Sequence, residues 1–241
     1  MKTLITLFTA VLLSQAITAQ TTLIPDANFE QALIDRGYDT GTPNGSVLTA
    51  NIDMVTFLNV HSKSISDLTG IEDFTALIYL YCHDNQLASL DVSQNTSLVE
   101  LFCWENQLTS LDVSQNTALT YLACGNNQLT SLDVSNNIVL DSLFCNNNQL
   151  TCLNVKNGNN INMESSFNGW GFWPSFNALN NPSLICIEVD DMAWSAANWT
   201  VANGSIDGTP SFSNNCNNPC SSSTTGIAEY GHSFNLYPNP T

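Results

Sequence analysis

The chain has 241 residues, with 21 Asp and Glu against 4 Lys and Arg, for a formal net charge of −17. So acidic a surface repels phosphate backbones, which removes nucleic acid from the expected partners. Its apolar content of 43% is that of a folded protein, and the length allows one domain or two.

Residues 1–19 (MKTLITLFTAVLLSQAITA) place one Lys before an apolar run from Leu4 to Leu13 and end on small residues. This is the pattern of a secretory signal peptide, with cleavage expected after Ala19. The apolar core is too short to span a bilayer, and no later segment is long and apolar enough, so the mature chain is expected to carry no transmembrane helix. After cleavage only Arg36, Lys63 and Lys156 remain basic. Residues 20–54 read as an N-terminal helical cap. In Ile24–Gly37 (IPDANFEQALIDRG), Asp26 suits an N-cap, Phe29 and Leu33 share a face, and Gly37 is a stop signal.

Residues 55–183 are organised by repetition. Val55–Ala76 is a loose unit of 22 residues, and Leu77, Leu98, Leu119 and Leu140 then open units at intervals of 21. The common pattern is L-x-x-L-x-C-x-x-N-x-L followed by x-x-L-D-V. Period-2 alternation at L-x-C predicts a strand that buries Leu and Cys on one side. The Asn column (Asn85, Asn106, Asn127, Asn148) falls where the chain leaves that strand. A buried Asn there can satisfy both N–H and C=O groups of adjacent turns, so it reads as structural. The L-D-V alternation buries Leu90 and Val92 and exposes Asp91, and its equivalents repeat up the stack. No single unit can bury its apolar face alone, so the units must stack and both ends need covers.

These motifs resemble the leucine-rich repeat, with Cys in a slot more often held by Leu. The first unit is similar to the bacterial internalin type, and the later ones to a short bacterial class. The resemblance covers roughly residues 24–216. It implies a repeat solenoid with a parallel β-sheet on the concave face, short extended segments on the convex face and an N-terminal helical cap. It also implies that the varying outward strand positions form the ligand surface. Those positions are Phe57, Asn59 and His61; Tyr79, Tyr81 and His83; Glu100, Phe102 and Trp104; Tyr121, Ala123 and Gly125; Ser142, Phe144 and Asn146. Tyr79, Tyr81, His83, Glu100, Phe102, Trp104, Tyr121 and Phe144 are the candidate binding residues, because exposed aromatic patches mark interaction sites. The competing reading is that aromatic side chains simply suit strands and pair across rungs.

Cys82, Cys103, Cys124 and Cys145 share one slot. Parallel in-register side chains keep Cβ atoms near the ~4.8 Å strand spacing, beyond the ~3.5–4.5 Å of a disulfide. They are expected as buried reduced thiols, and a straight column cannot give a tetrahedral metal site. His61 and His83 with Asp84 lack a third ligand. Calcium on the Asp91, Asp112 and Asp133 column competes with local turn bonding by the S-x-N that follows each Asp. No metal or other cofactor is expected.

Residues 161–176 interrupt the repeats with an aromatic insertion (SFNGWGFWPSF from Ser166), which could stack on sugars or cover the core near the cap. Residues 184–216 (LICIEVDD, then W-T, then FSNNC) resemble the closing cap of Bacteroidetes-type members of the family. Cys186 with Cys216 is the expected bridge and Cys152 with Cys186 the alternative, while Cys220 lies in a polar linker, 217–229. Residues 230–241, with F-N-L-Y-P-N-P-T, resemble the start of the C-terminal sorting domain of the type IX secretion system. The chain stops where that domain would begin and reads as a fragment. No nucleophile–base pair, catalytic zinc motif or glycine phosphate loop is found, so enzymatic activity is not expected. The function implied is a secreted or surface binding module for a protein or glycan partner, with a rigid structural spacer as the alternative.

Overall fold

In the computed structural model, residues 19–163, 166–167, 172–173, 175–216 and 220 are described. The expected signal peptide and the sorting motif therefore lie outside the described residues, apart from Ala19.

The N-terminal cap forms as its sequence dictates, with an added hairpin. Strand β1 (Thr21–Leu23) pairs antiparallel with β2 (Ser46–Leu48) around helix α1 (Ala27–Ile34). Asp26 caps α1 by accepting from the N–H groups of Asn28 and Phe29, and Gly37 leaves the helix at φ 78°. The second oxygen of Asp26 accepts from the Ser66 N–H at 2.8 Å and from Asp67 N–H at 3.1 Å, tying the helix to the first repeat. Buried Glu30 accepts from the Asn44 and Gly45 N–H groups at 2.6 and 2.7 Å, which holds the return loop. Phe29 packs over Phe74, with ring centroids 6.3 Å apart. The first rung is thereby closed off from water.

Each repeat then contributes one three-residue strand: β3 (Phe57–Asn59), β4 (Tyr79–Tyr81), β5 (Glu100–Phe102) and β6 (Tyr121–Ala123). Beyond β6, L-D-V segments are strands as well, so β7 (Ser131–Asp133) and β9 (Cys152–Asn154) alternate with β8 (Ser142–Phe144). The short antiparallel pair β10 (Ser166–Phe167) and β11 (Phe172–Trp173) sits in the insertion. Strand β12 (Phe176–Asn177) is another rung, pairing in parallel with β8. The insertion therefore ends before Phe176, one residue earlier than its sequence suggests. Strand β13 (Cys186–Glu188), helix α2 (Met192–Asn198) and β14 (Ser211–Ser213) complete the closing cap.

Two parallel sheets result. One has six strands in the order β12-β8-β6-β5-β4-β3, and the other has four in the order β14-β13-β9-β7. In the first, Leu58, Leu80, Leu101, Leu122 and Leu143 occupy a single register and are fully buried. This parallel leucine-rich-repeat solenoid is the architecture that the resemblance of the repeats implies. The earlier L-D-V segments bury Leu90 and Leu111 without forming strands, so the second extended stretch is regular only where the cap strands extend its sheet.

The Asn column works as hydrogen-bond chemistry requires. Asn127 Oδ1 accepts from Leu108 N–H at 2.9 Å, while its Nδ2 donates to the carbonyls of Cys103 and Cys124 at 3.0 and 3.1 Å. Asn85, Asn106 and Asn148 repeat the arrangement, and Asn181 continues it across the insertion. A second column, Asn95, Asn116 and Asn137, is fully buried on the opposite side of the coil. Each donates to two carbonyls of the preceding turn, as Asn116 does to Val92 and Asn95.

At the far end Trp199 is 2% exposed, stacks on Phe176 at 3.9 Å and donates from Nε1 to the Met163 carbonyl at 3.2 Å. It plugs the last rung, and α2 holds it there, capped by Asp191. Sequence patterning had not indicated this helix. Cys186 bonds to Cys216 as expected. Cys152 bonds to Cys220, not to Cys186. The alternative pairing is thus excluded, Cys152 is buried and not outward-facing, and Cys220 is an anchor folded back onto the second sheet.

Candidate binding face

The outward positions of the six-stranded sheet converge because parallel register places equal slots directly side by side. Phe57, Tyr79, Glu100, Tyr121 and Ser142 form one row, and Asn59, Tyr81, Phe102, Ala123 and Phe144 the next. Rungs lie ~4.8 Å apart, close to ring-stacking distance. The rings accordingly pack into a ladder. Phe57 meets Tyr81 edge-on at 5.2 Å, Tyr81 stacks on Phe102 at 4.4 Å, Phe102 meets Tyr121 at 4.9 Å, and Tyr121 stacks on Phe144 at 5.4 Å. A third row stacks His61 on His83 at 4.7 Å and His83 on Trp104 at 4.3 Å.

All eight candidate residues therefore lie on one face. Their rings are half-buried and not freely exposed, because each neighbour covers part of the next. Only Phe57, at the ladder's end, leaves 47% of its surface to water. Mutual stacking fixes the rotamers, so a partner would meet a preorganised surface with little ordering cost left.

Polar groups are built into this ladder. Tyr81 donates its hydroxyl to Glu100 Oε2 at 2.6 Å. Burial, followed by that bond and the Glu100 charge, pushes the Tyr81 phenol up to about 12. The Tyr121 phenol is raised for the same leading reason, with Glu100 adding to it. His83 is shifted the other way: burial and then the charge of neighbouring His61 disfavour its protonated form, while Asp84 opposes them. Its Nδ1 is buried with no hydrogen-bond partner among the described residues.

Just beyond the strands, Ser62, Asp84, Glu105, Asn126, Asn147 and Asn180 adopt left-handed backbone with φ between 52° and 57°. This tight bend turns each rung off the sheet and lines the face with polar side chains. Behind the face, Cys82, Cys103, Cys124 and Cys145 are fully buried and unbridged. Burial pushes the Cys82 and Cys124 thiols up to about 12 and raises Cys103 and Cys145 well above the ordinary thiol range. They are packing groups, not nucleophiles.

The Asp91, Asp112 and Asp133 carboxylates each accept from the N–H of the Ser two residues on, at 2.9 Å, as turn chemistry requires. Among the described residues no group of three or more His, Cys, Asp or Glu is placed to hold a metal ion. No described helix is long and apolar enough to cross a membrane.

No family model matches the chain. Among solved structures it is similar to the functional domain of internalin J from Listeria monocytogenes, which includes a cysteine ladder. Identity is 32%, the match covers 71% of this chain and 38% of that one, and the TM-score is 0.57. The curated internalin J of Listeria monocytogenes serotype 4b (strain F2365) is 50% identical over 42 residues, 17% of this chain and 5% of that protein. An internalin, inlF, from the same strain aligns at 17% identity over 73% of this chain and 54% of its own, with a TM-score of 0.48. The chain thus spans well under half the length of either internalin J match. Its fold is an internalin-like leucine-rich-repeat solenoid.

Proposed function

We propose that this chain is a secreted or surface-exposed recognition module whose parallel-sheet face binds a protein or glycan partner in adhesion or another surface interaction. The observation that carries the reading is the continuous ladder of rings on one face, with outward surface left beyond what rung packing uses. The likeness to internalin J supports it. A purified chain probed against arrayed surface proteins and glycans is the test, alongside a variant with Tyr81, Phe102 and Trp104 replaced by Ser. Binding by the native chain that the triple variant loses supports the reading; binding that survives it contradicts the choice of face.

One observation favours a second reading. Because the rings satisfy one another across rungs, they also suit a rigid spacer with no ligand of its own. Absence of any bound partner, with the triple variant less stable than the native chain, would favour that role.

The N-terminal apolar segment and the F-N-L-Y-P-N-P-T motif support export and carriage by the type IX secretion machinery to the outer surface. An exported protein beginning at Gln20 and cleaved by protease added to intact cells would support this. A chain retained inside the cell would contradict it.

A further inference from the structure

The main ring ladder runs on through β6, but the third row ends short of it. Along the third outward row the order is His61, His83, Trp104, Gly125 and Asn146, and the stack stops at Trp104 because Gly125 has no side chain. In the row beside it, Phe102 and Phe144 flank Ala123. The β6 rung is therefore small at two adjacent slots. The result is a notch of about 230 Å³ floored by Ala123 and Gly125 and walled by Trp104, Tyr121, Phe144 and Asn146, with Asn126 at its rim.

We propose that this notch is a sugar subsite that takes one neutral pyranose ring of a glycan, stacked on the face of Trp104 turned away from His83. This rests on the recognition reading above and names the ligand class for one part of that face. Size is the first reason. The rungs of Trp104 and Asn146 are two strand spacings apart, roughly 10 Å. One ring at van der Waals distance from each wall, ~3.5–4 Å, needs ~7–8 Å of that interval, which it has once the Asn146 amide that leans over Gly125 turns aside. The notch is smaller than the ~300–1,000 Å³ of pockets for drug-sized ligands, so it suits one ring of a longer chain.

Chemistry is the second reason. Trp104 offers a flat, electron-rich face, and among the described residues its other face alone has a ring partner. The C–H face of a pyranose is the complement of such a platform. The side-chain amides of Asn126 and Asn146 carry no hydrogen bond to another described residue, and both donors and acceptors are left for ring hydroxyls. Charge decides between occupants. No ionisable side chain other than the Tyr121 phenol lines the notch, so a guanidinium or ammonium would find no carboxylate there. The nearby Glu100 is already engaged by Tyr81. A sialylated or sulfated ring would also face a chain of net charge −17.

Gly125 makes the idea separable from folding. A Cβ at this position would approach Asn146 Oδ1 to 2.9 Å and the Asn146 carbonyl oxygen to 3.1 Å, so the flexible amide must swing aside and the neighbouring rung give by a few tenths of an ångström; the backbone at Gly125 itself is not left-handed. Gly125→His would extend the protein's own stack into the notch.

The test probes the purified chain against immobilised galactose-, N-acetylglucosamine- and mannose-terminated oligosaccharides, their sialylated and sulfated counterparts, and arrayed surface proteins. The native chain is expected to bind neutral oligosaccharides. Gly125→His and Trp104→Ala should each reduce that response at least tenfold. Thermal unfolding should confirm that both variants fold; Trp104→Ala, at a half-buried surface position, serves if the histidine is not accommodated. Neutral-glycan binding unchanged in either folded variant, or binding confined to anionic glycans, overturns the proposal. Capture of proteins but no glycan overturns it while leaving the recognition reading intact. Binding of neither defeats both.

Discussion

Replacing Asn127 with alanine removes four hydrogen bonds, two to the preceding rung and two within its own, and their cost can be worked out group by group. Leu108 N–H loses its Oδ1 acceptor and is left buried and unpaired, at ~1–3 kcal/mol. The Cys103, Cys124 and Gly125 carbonyls fare better, because the first two also accept from neighbouring members of the column, Asn106 and Asn148 respectively, and the third from Glu105 N–H. Each therefore loses one bond of two, at ~0.5–1.5 kcal/mol. The total is about 2.5–7.5 kcal/mol, a large share of the ~5–15 kcal/mol that holds a domain together. Urea unfolding under non-reducing conditions measures it directly, with exposed Gln128→Ala as a neighbour expected within ~0.5 kcal/mol of the native chain. Asn127→Asp keeps the acceptor but cannot donate, and it turns a carboxylate towards three carbonyls, so it should be at least as damaging. An Asn127→Ala variant as stable as Gln128→Ala would refute the reasoning.

Three further outcomes are expected. His83 has its protonated form disfavoured by burial in the fold, so the unfolded chain binds more protons below its ordinary value of ~6.5. Stability from this group is complete above that pH and lost as pH falls through the window below it; thermal midpoints should show a decline there that His83→Gln lessens, and an equal decline in both would contradict the assignment. The buried thiols act with the opposite sign. With Cys82 and Cys124 pushed up to about 12, the native state binds more protons than the unfolded one above ~8.5, so stability should fall as pH rises beyond that, less steeply with alanine at both positions. Finally, Glu105 sits in left-handed backbone at φ 52°, whereas Asn126 and Asn147 hold the equivalent slots. Glu105→Asn should raise stability by about 0.5–1 kcal/mol in urea titrations, and a loss would contradict strain at that bend.

What the sequence revealed divides by range. Positions whose role comes from the repeat itself were legible. The Leu, Cys and Asn slots recur every 21 residues, so the columns of Cys82 to Cys145 and Asn85 to Asn148 follow from period and alternation. Asp26 and Gly37 announce α1 through local capping chemistry. The buried column of Asn95, Asn116 and Asn137 is not legible, because S-x-N reads locally as a turn and only stacking buries it. Cys220 was lost among polar neighbours, since nothing local reveals that the tail returns to Cys152, 68 positions earlier. Helix α2 is short and closes over Trp199, a contact made by tertiary packing and not by periodicity. On the candidate face the outward positions are readable from the repeat. The notch at Ala123 and Gly125 emerges only when their small size is set between the rings of the neighbouring rungs.

In-register stacking of successive rungs is tested most directly by counting reactive thiols in the unreduced protein before and after denaturation. If Cys82, Cys103, Cys124 and Cys145 stand in single file inside the coil, a thiol reagent should modify none of them in the native protein. All four should react once the chain is unfolded with its two disulfides intact. Rapid modification of any of them in the native protein, or fewer than four released on unfolding, would contradict the columns on which both faces of the solenoid depend.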